Sequence, residues 1–84
     1  LHLAAQVDVQ APIEDPVHDA HVNVLGTVRV LEGARRSGAR KVVLAASGGT
    51  LYGDPDPSRL PLGEDEPHAP LTPYGVSKMA AVDY

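Results

Sequence analysis

The chain has 84 residues, of which 43% are hydrophobic and 21% are charged, a composition typical of one small globular domain. Its net charge of −4 argues against a nucleic-acid or anionic-membrane surface, and no apolar run approaches the roughly 20 residues of a membrane span. The lack of cysteine excludes disulfides, thiolate metal sites and cysteine nucleophiles within this sequence. It opens without methionine on a strand-like tail and closes inside a helical pattern, which predicts a segment of a longer protein.

Two short apolar segments flank a long helical pattern. Residues 1–5 predict the end of a buried strand, and residues 41–46 predict a second strand covered on both faces. Between them, a polar loop or irregular helix start leads into a helix from about Pro16 to Ser37. Asp15 is its expected N-cap and Gly38 its left-handed stop. Strand, helix and strand predict a parallel βαβ crossover, and hence an α/β fold.

One face of this helix is predicted to be buried. Asn23 and Gly26 are unfavourable in a helix interior, and close packing of helix on sheet explains Gly26 most simply. Asn23 is either solvated or bonded to water or backbone near a ligand. The apolar residues that recur at steps of three or four are Val17, Ala20, Val24, Val28, Leu31 and Ala34.

A proline-rich, acidic loop separates the second strand from a final helix. It is irregular over about twenty residues, a length at which loops are usually functional. Thr72 is the predicted N-cap of the final helix, and Pro73 its first residue.

Tyr74 and Lys78 are four residues apart, so a helix places both on one face. A phenol is a weak general base because its reference pKa is about 10, but an adjacent ammonium group stabilises the phenolate. The pair therefore predicts an acid/base group that works near neutral pH. Taken alone, an exposed amphipathic pair is the more ordinary interpretation.

Both predicted strands end in small residues, Ala4-Ala5 and Ala46-Ser47-Gly48-Gly49. Ligands of open parallel sheets bind beyond the carboxyl ends of strands, where small residues let a ligand approach the backbone. Tight turns alone are the alternative explanation.

His18 and His21 are three residues apart, but a solvated helix face is favoured there over a metal site, and no metal is predicted.

Four segments in this order resemble the extended short-chain dehydrogenase/reductase family, in its NAD-dependent epimerase/dehydratase branch. They are HLAAQ (2–6), NVLGT (23–27), SGGTLYG (47–53) and PYGVSK (73–78). Nucleotide-sugar 4-epimerases are the nearest look-alikes. The resemblance implies a Rossmann-type, doubly wound parallel sheet. Residues 1–84 would be the central-to-carboxyl-terminal part of its NAD(P)-binding domain, truncated at both ends.

The resemblance also implies site residues. Tyr74 would be the acid/base, while Lys78 would bond the nicotinamide ribose and tune the tyrosine. NAD is the expected cofactor, with NADP left open. Its adenosine and diphosphate would lie along Leu3, Ala4, Ala5 and Gln6. Its nicotinamide would lie above Ala45, Ala46 and Ser47. Asn23 would lie in the helix behind the cofactor. The residues expected to contact the nucleotide sugar are Ser47, Gly48, Gly49, Thr50 and Tyr74.

The sequence departs from the family pattern at Gly48, where a serine or threonine is usual. Ser47 or Thr50 would take that catalytic role, and Ser47 is preferred. The Gly48-Gly49 pair stands near where dehydratases carry Asp-Glu, which argues against a 4,6-dehydratase.

The function implied is NAD-dependent epimerisation of a nucleotide sugar, an isomerase reaction with transient hydride transfer. A reductase or dehydrogenase of the same family, or a non-catalytic dinucleotide-binding protein, remains an alternative. The resemblance further implies a cytoplasmic enzyme without nucleic-acid or membrane partners, and it leaves a homodimer open for the full-length protein.

Overall fold

The computed structural model describes residues 1–84 and is largely helical. No helix combines the length and the apolarity that crossing a membrane requires. The helical elements, in chain order, are α1 (Ala11–Glu14), α2 (Pro16–Ala20), a π segment (His21–Leu25), α3 (Gly26–Arg36), α4 (Gly48–Leu51), a 3₁₀ turn (Pro57–Arg59) and α5 (Pro73–Asp83).

The predicted long helix is confirmed as the consecutive elements α2, π segment and α3. Asp15 caps it, since its carboxylate accepts a hydrogen bond of 2.9 Å from the His18 amide, and Gly38 ends it at φ 75°. The π segment is an addition that the apolar pattern does not predict. A Cβ on Gly26 would meet nothing nearer than a backbone oxygen at 3.9 Å, so the tight packing predicted there is wrong.

The two predicted strands meet in a single parallel bridge between His2 and Leu44. The His2 amide donates to the Val43 carbonyl at 2.8 Å, and the Ala45 amide donates to the His2 carbonyl at 3.1 Å. The expected parallel order is therefore present, but burial on both faces is wrong, since Leu3 is 63% and Val43 49% exposed. A parallel strand is buried only between neighbouring strands and two helical layers, and these residues supply a fraction of that cover.

The buried face of the long helix differs from the predicted one. Val17 is 78% exposed, whereas Asp19, Asn23 and Thr27 are only 2%, 2% and 3% exposed. α5 packs against α2 and the π segment on this polar side. The prediction is wrong at the start of the helix because hydrogen bonds satisfy the buried polar side chains, while Val17 and Ala20 line an open groove. The rest of the apolar stripe is half-buried, namely Val24, Val28, Leu31 and Ala34.

The proline-rich loop is irregular, as predicted, and makes contacts of its own. Arg59 and Glu66 form an ion pair, and the Ala69 amide donates to the Leu51 carbonyl at 2.8 Å. The cap of α5 is confirmed, because the Thr72 hydroxyl accepts from the Gly75 amide at 3.1 Å. α4 follows the second extended segment, so the alternative explanation of its small residues as tight turns alone is wrong there.

We expect residues 1–84 by themselves to be marginally folded. Their buried hydrophobic residues are Leu51, Tyr74 and Ala81, and a domain of this size buries little more than about 60% of its unfolded surface. Circular dichroism should record a weak, non-cooperative melt of the isolated segment. A sharp melt together with micromolar NAD binding would contradict this expectation.

Candidate functional site

Tyr74 and Lys78 lie together in the interior, on the first turns of α5. Tyr74 is 7% and Lys78 6% exposed, which rules out the exposed amphipathic pair. The Lys78 ammonium donates to the Ala45 carbonyl at 3.2 Å, at the end of the second extended segment. The structure thus brings the predicted acid/base pair to the edge where the bridge ends.

Two opposed effects act on Lys78. Burial lowers the pKa of its ammonium below the ordinary lysine value, and the charge of Asp19 partly offsets that loss. An ammonium group has three donors, and the chain itself occupies one of them at Ala45. Lys78 is therefore a buried cation that still has donors available for a ligand.

Asn23 connects the first extended segment to α5. Its Oδ1 accepts from the Gln6 amide at 2.9 Å, and its Nδ2 donates to the Gln6 carbonyl at 3.1 Å and to Ser77 Oγ at 3.2 Å. Of the two roles left open by the sequence, the backbone bond is confirmed and the solvated residue is wrong. Asn23 pairs with Gln6 much as a neighbouring strand would.

The two candidate hydroxyls precede and enter α4. Thr50 Oγ1 already donates to the Ser47 carbonyl at 3.3 Å. The Ser47 side chain, at the N-cap position, bonds no amide of α4. The Ser47 hydroxyl thus accepts nothing from α4 and, unlike that of Thr50, donates to no group of the chain, so Ser47 stays the preferred candidate.

Gly75 lets α5 approach α4. A Cβ there would lie 2.8 Å from the Thr50 carbonyl oxygen and 2.9 Å from the Pro70 side chain.

We expect Gly75→Ala to destabilise the protein by about 1–3 kcal/mol through overpacking. Gly33→Ala is the matched control, since its Cβ would meet nothing within 4 Å in α3, and alanine is favoured there. Denaturant melts of the two variants in the complete protein check this, and equal stabilities would contradict it.

The remaining predicted cofactor and substrate residues surround this centre. Ala5 and Gln6 are half-buried after the bridge, and Ala45 is half-buried beside Lys78. The exposed members, whose backbone is open to a ligand, are Leu3, Ala4, Ala46, Gly48 and Gly49.

Two observations fit a bound dinucleotide at this edge. Gln6 Oε1 is buried and has no hydrogen-bond partner within the chain. Such an orphaned acceptor is costly unless a further group satisfies it. The spare donors of Lys78 lie at the end of the other extended segment. No group of three or more histidine or acidic side chains is arranged to hold a metal ion.

Sequence reasoning missed three buried polar residues, Asp19, Thr27 and Ser77. The Thr27 hydroxyl donates to the Asn23 carbonyl at 2.7 Å and lies 3.3 Å from His2 Nε2. A signal was present, because Asp19, Asn23 and Thr27 are spaced by four and share a helix face.

Comparison with known proteins places the chain in a family. The family model described as GDP-mannose 4,6 dehydratase matches residues 1–84. UDP-glucose 4-epimerase of Mycolicibacterium smegmatis is 49% identical over 83 residues, covering 99% of this chain and 26% of that protein. GDP-6-deoxy-D-mannose reductase of Pseudomonas aeruginosa is 36% identical over 81 residues, covering 96% of this chain and 27% of that protein. The chain thus spans about a quarter of the length of these relatives.

Solved structures agree with the sequence relatives. UDP-glucose 4-epimerase of Thermus thermophilus, in complex with NAD, superposes with a TM-score of 0.91 at 42% identity, covering 99% of this chain and 26% of that one. RMD of Pseudomonas aeruginosa, complexed with NADPH, gives 0.86 at 35% identity, covering 98% and 28%. The α/β arrangement is thus that of NAD(P)-binding epimerases and reductases, and the chain belongs to the GDP-mannose 4,6-dehydratase family of NAD-dependent epimerases and dehydratases.

Proposed function

We propose that residues 1–84 are the central part of the Rossmann-type, doubly wound NAD-binding domain of a nucleotide-sugar epimerase. The observation that carries this proposal is the burial of Tyr74 and Lys78 on α5, with Lys78 bonded to Ala45. UDP-glucose is the proposed substrate, because the relatives that cover the chain at 42% and 49% identity are named UDP-glucose 4-epimerases.

The residues proposed to hold the dinucleotide lie at the two ends joined by the bridge. Gln6 offers its unsatisfied Oε1, and Lys78 offers its spare ammonium donors to the ribose beside the nicotinamide. NAD, when bound, supplies an acceptor that takes a hydride from the sugar carbon and returns it. The choice of NAD over NADP follows the Thermus thermophilus structure.

Three side chains are proposed to handle the proton and the reacting sugar oxygen. Tyr74 removes the proton from the sugar hydroxyl and later returns it, and Lys78 favours the phenolate that this requires. Ser47 bonds the same sugar oxygen through its available hydroxyl. The keto sugar formed in between would turn in the site, so that the hydride returns to its other face.

The test supplies UDP-glucose to the complete protein. Epimerisation predicts accumulation of the 4-epimer, detected by proton NMR, without net reduction of the cofactor. Stoichiometric formation of NADH with a released keto sugar would identify a dehydrogenase and contradict the proposal. Loss of water from the sugar would identify a dehydratase, which the Gly48-Gly49 pair disfavours.

A reductase of the same family is the second candidate. It is favoured by the similarity to GDP-6-deoxy-D-mannose reductase and by the NADPH in the RMD structure. A reductase would consume NADPH when given a keto sugar and would leave UDP-glucose unchanged. A non-catalytic dinucleotide-binding protein is disfavoured, because it has no need of the buried Tyr74/Lys78 pair.

A homodimer of the complete protein is also proposed. The open groove of α2 and the π segment exposes Val17 and Leu25, and Val76 of α5 is 49% exposed nearby. An exposed apolar patch of this kind favours association with a second copy of the protein, which would bury it. Size-exclusion chromatography with light scattering gives the mass that decides it.

A further inference from the structure

Asp19 carries the only buried carboxyl group of the chain, and Lys78 carries its only buried amino group. Asp19 is 2% exposed and Lys78 6% exposed. Taking a single charge out of water is costly, and proteins tolerate it where an opposite charge or hydrogen bonds compensate. The two charges have opposite sign and belong to helices that pack against each other. Each group can therefore compensate the cost of burying the other.

The connection between them runs through hydrogen bonds instead of a direct ion pair. Asn23 Nδ2 lies 3.1 Å from Asp19 Oδ1 and 3.2 Å from Ser77 Oγ. Ser77 Oγ in turn donates to the Tyr74 carbonyl at 3.0 Å, and Ser77 directly precedes Lys78 in α5. The carboxylate thus reaches the turn of α5 that carries both members of the acid/base pair.

The side-chain amide of Asn23 has more acceptors around it than hydrogens to donate, so its orientation depends on Asp19. An NH₂ group has two hydrogens, but Nδ2 lies within 3.2 Å of three acceptors on Gln6, Asp19 and Ser77. One hydrogen is consistent with the paired bonds to Gln6, which leaves one to be shared by Asp19 and Ser77. A charged acceptor competes strongly for that hydrogen and so fixes the amide orientation.

We propose that Asp19 is the buried counter-charge of Lys78 and the anchor of α5, and that it acts as a positioning residue for the Tyr74/Lys78 pair. The proposal rests on the proposed function only for the catalytic role of that pair. Asp19 also opposes the loss of the Lys78 proton that burial promotes. Besides Tyr74 itself, the acidic and basic side chains of α5 and of the helices packed against it are exposed, namely Glu14, Asp15, His18, His21 and Asp83.

The test replaces Asp19 by asparagine, which has nearly the same shape and no charge. The titration of Lys78 is followed by carbon NMR of its Cε in the complete protein, with the signal assigned by Lys78→Arg. Its midpoint is expected to move to lower pH in Asp19→Asn. Glu14→Gln, which removes an exposed charge from the neighbouring α1, is the matched control and should leave the midpoint in place.

Activity gives a second readout. In Asp19→Asn we expect kcat for UDP-glucose to fall about tenfold, because a displaced catalytic helix lowers reactivity. The alkaline limb of the pH profile of kcat should move to lower pH together with the Lys78 midpoint. A lowered kcat with an unmoved Lys78 midpoint would mean that Asp19 is only structural and would overturn the proposal. If the parent turns over no UDP-glucose, the proposed function fails, and the Lys78 midpoint alone still decides the role of Asp19.

A double variant covers the case in which Asp19→Asn does not fold. Asp19→Asn/Lys78→Met removes both buried charges, so folded protein should be recovered if the orphaned cation caused the failure. Recovery supports the pairing of charges. A double variant as unstable as Asp19→Asn overturns it, because the cation would then play no part.

Discussion

Tyr74→Phe in the complete protein is expected to lower kcat about a thousandfold, because positioned acid/base groups contribute about a hundredfold to ten-thousandfold. The substitution deletes only the ionisable oxygen from a side chain that is 7% exposed, so the packing of α5 should be retained. The affinity for NAD, measured by fluorescence titration, should therefore stay nearly unchanged.

Lys78→Ala provides the comparison, because Lys78 is proposed both to favour the phenolate and to hold the ribose. Turnover and NAD affinity should both fall in that variant. Equal losses of NAD affinity in Tyr74→Phe and Lys78→Ala would show that Tyr74 is structural.

Ser47→Ala is expected to raise the barrier by about 2–4 kcal/mol, which corresponds to a loss of roughly a hundredfold or more in kcat. The reason is that the Ser47 hydroxyl bonds no amide of α4 and would bond the reacting sugar oxygen in the transition state. Steady-state kinetics with UDP-glucose measure this loss. The substitution removes no hydrogen bond of the folded chain, so stability should change little.

Thr50→Val separates the two candidate hydroxyls. Thr50 Oγ1 is engaged with the Ser47 carbonyl, so its removal should mainly raise KM and leave kcat close to that of the parent. If Thr50→Val loses most of its kcat and Ser47→Ala keeps a kcat close to that of the parent, the assignment of the third catalytic residue is wrong. The roles proposed for Tyr74 and Lys78 would be unaffected.

The sequence predicts helix boundaries well because local chemistry determines them. Asp15 and Thr72 cap their helices through their own side chains, and Gly38 supplies the positive φ that ends α3. The strands are predicted less well, because pairing and cover depend on distant residues. The apolar segment that contains Val43 forms a single bridge instead of a buried ladder.

The candidate site shows the same division. The spacing of Tyr74 and Lys78 predicts an acid/base pair, and the structure buries both side chains. The polar face of the long helix was missed because apolar periodicity assumes that apolar side chains are the buried ones. Asp19 and Asn23 are buried instead, because they form hydrogen bonds with each other and, through Asn23, with Ser77, which is distant in sequence.

The most direct test of the epimerase proposal follows the hydrogen at the sugar carbon that reacts. UDP-glucose deuterated at C4 is mixed with the complete protein, and the product is analysed by NMR and mass spectrometry after partial turnover. Transient hydride transfer, with proton exchange confined to the hydroxyl that Tyr74 serves, predicts a 4-epimer that keeps its deuterium. Loss of deuterium from C4, to solvent or to released cofactor, would contradict the proposed epimerase mechanism.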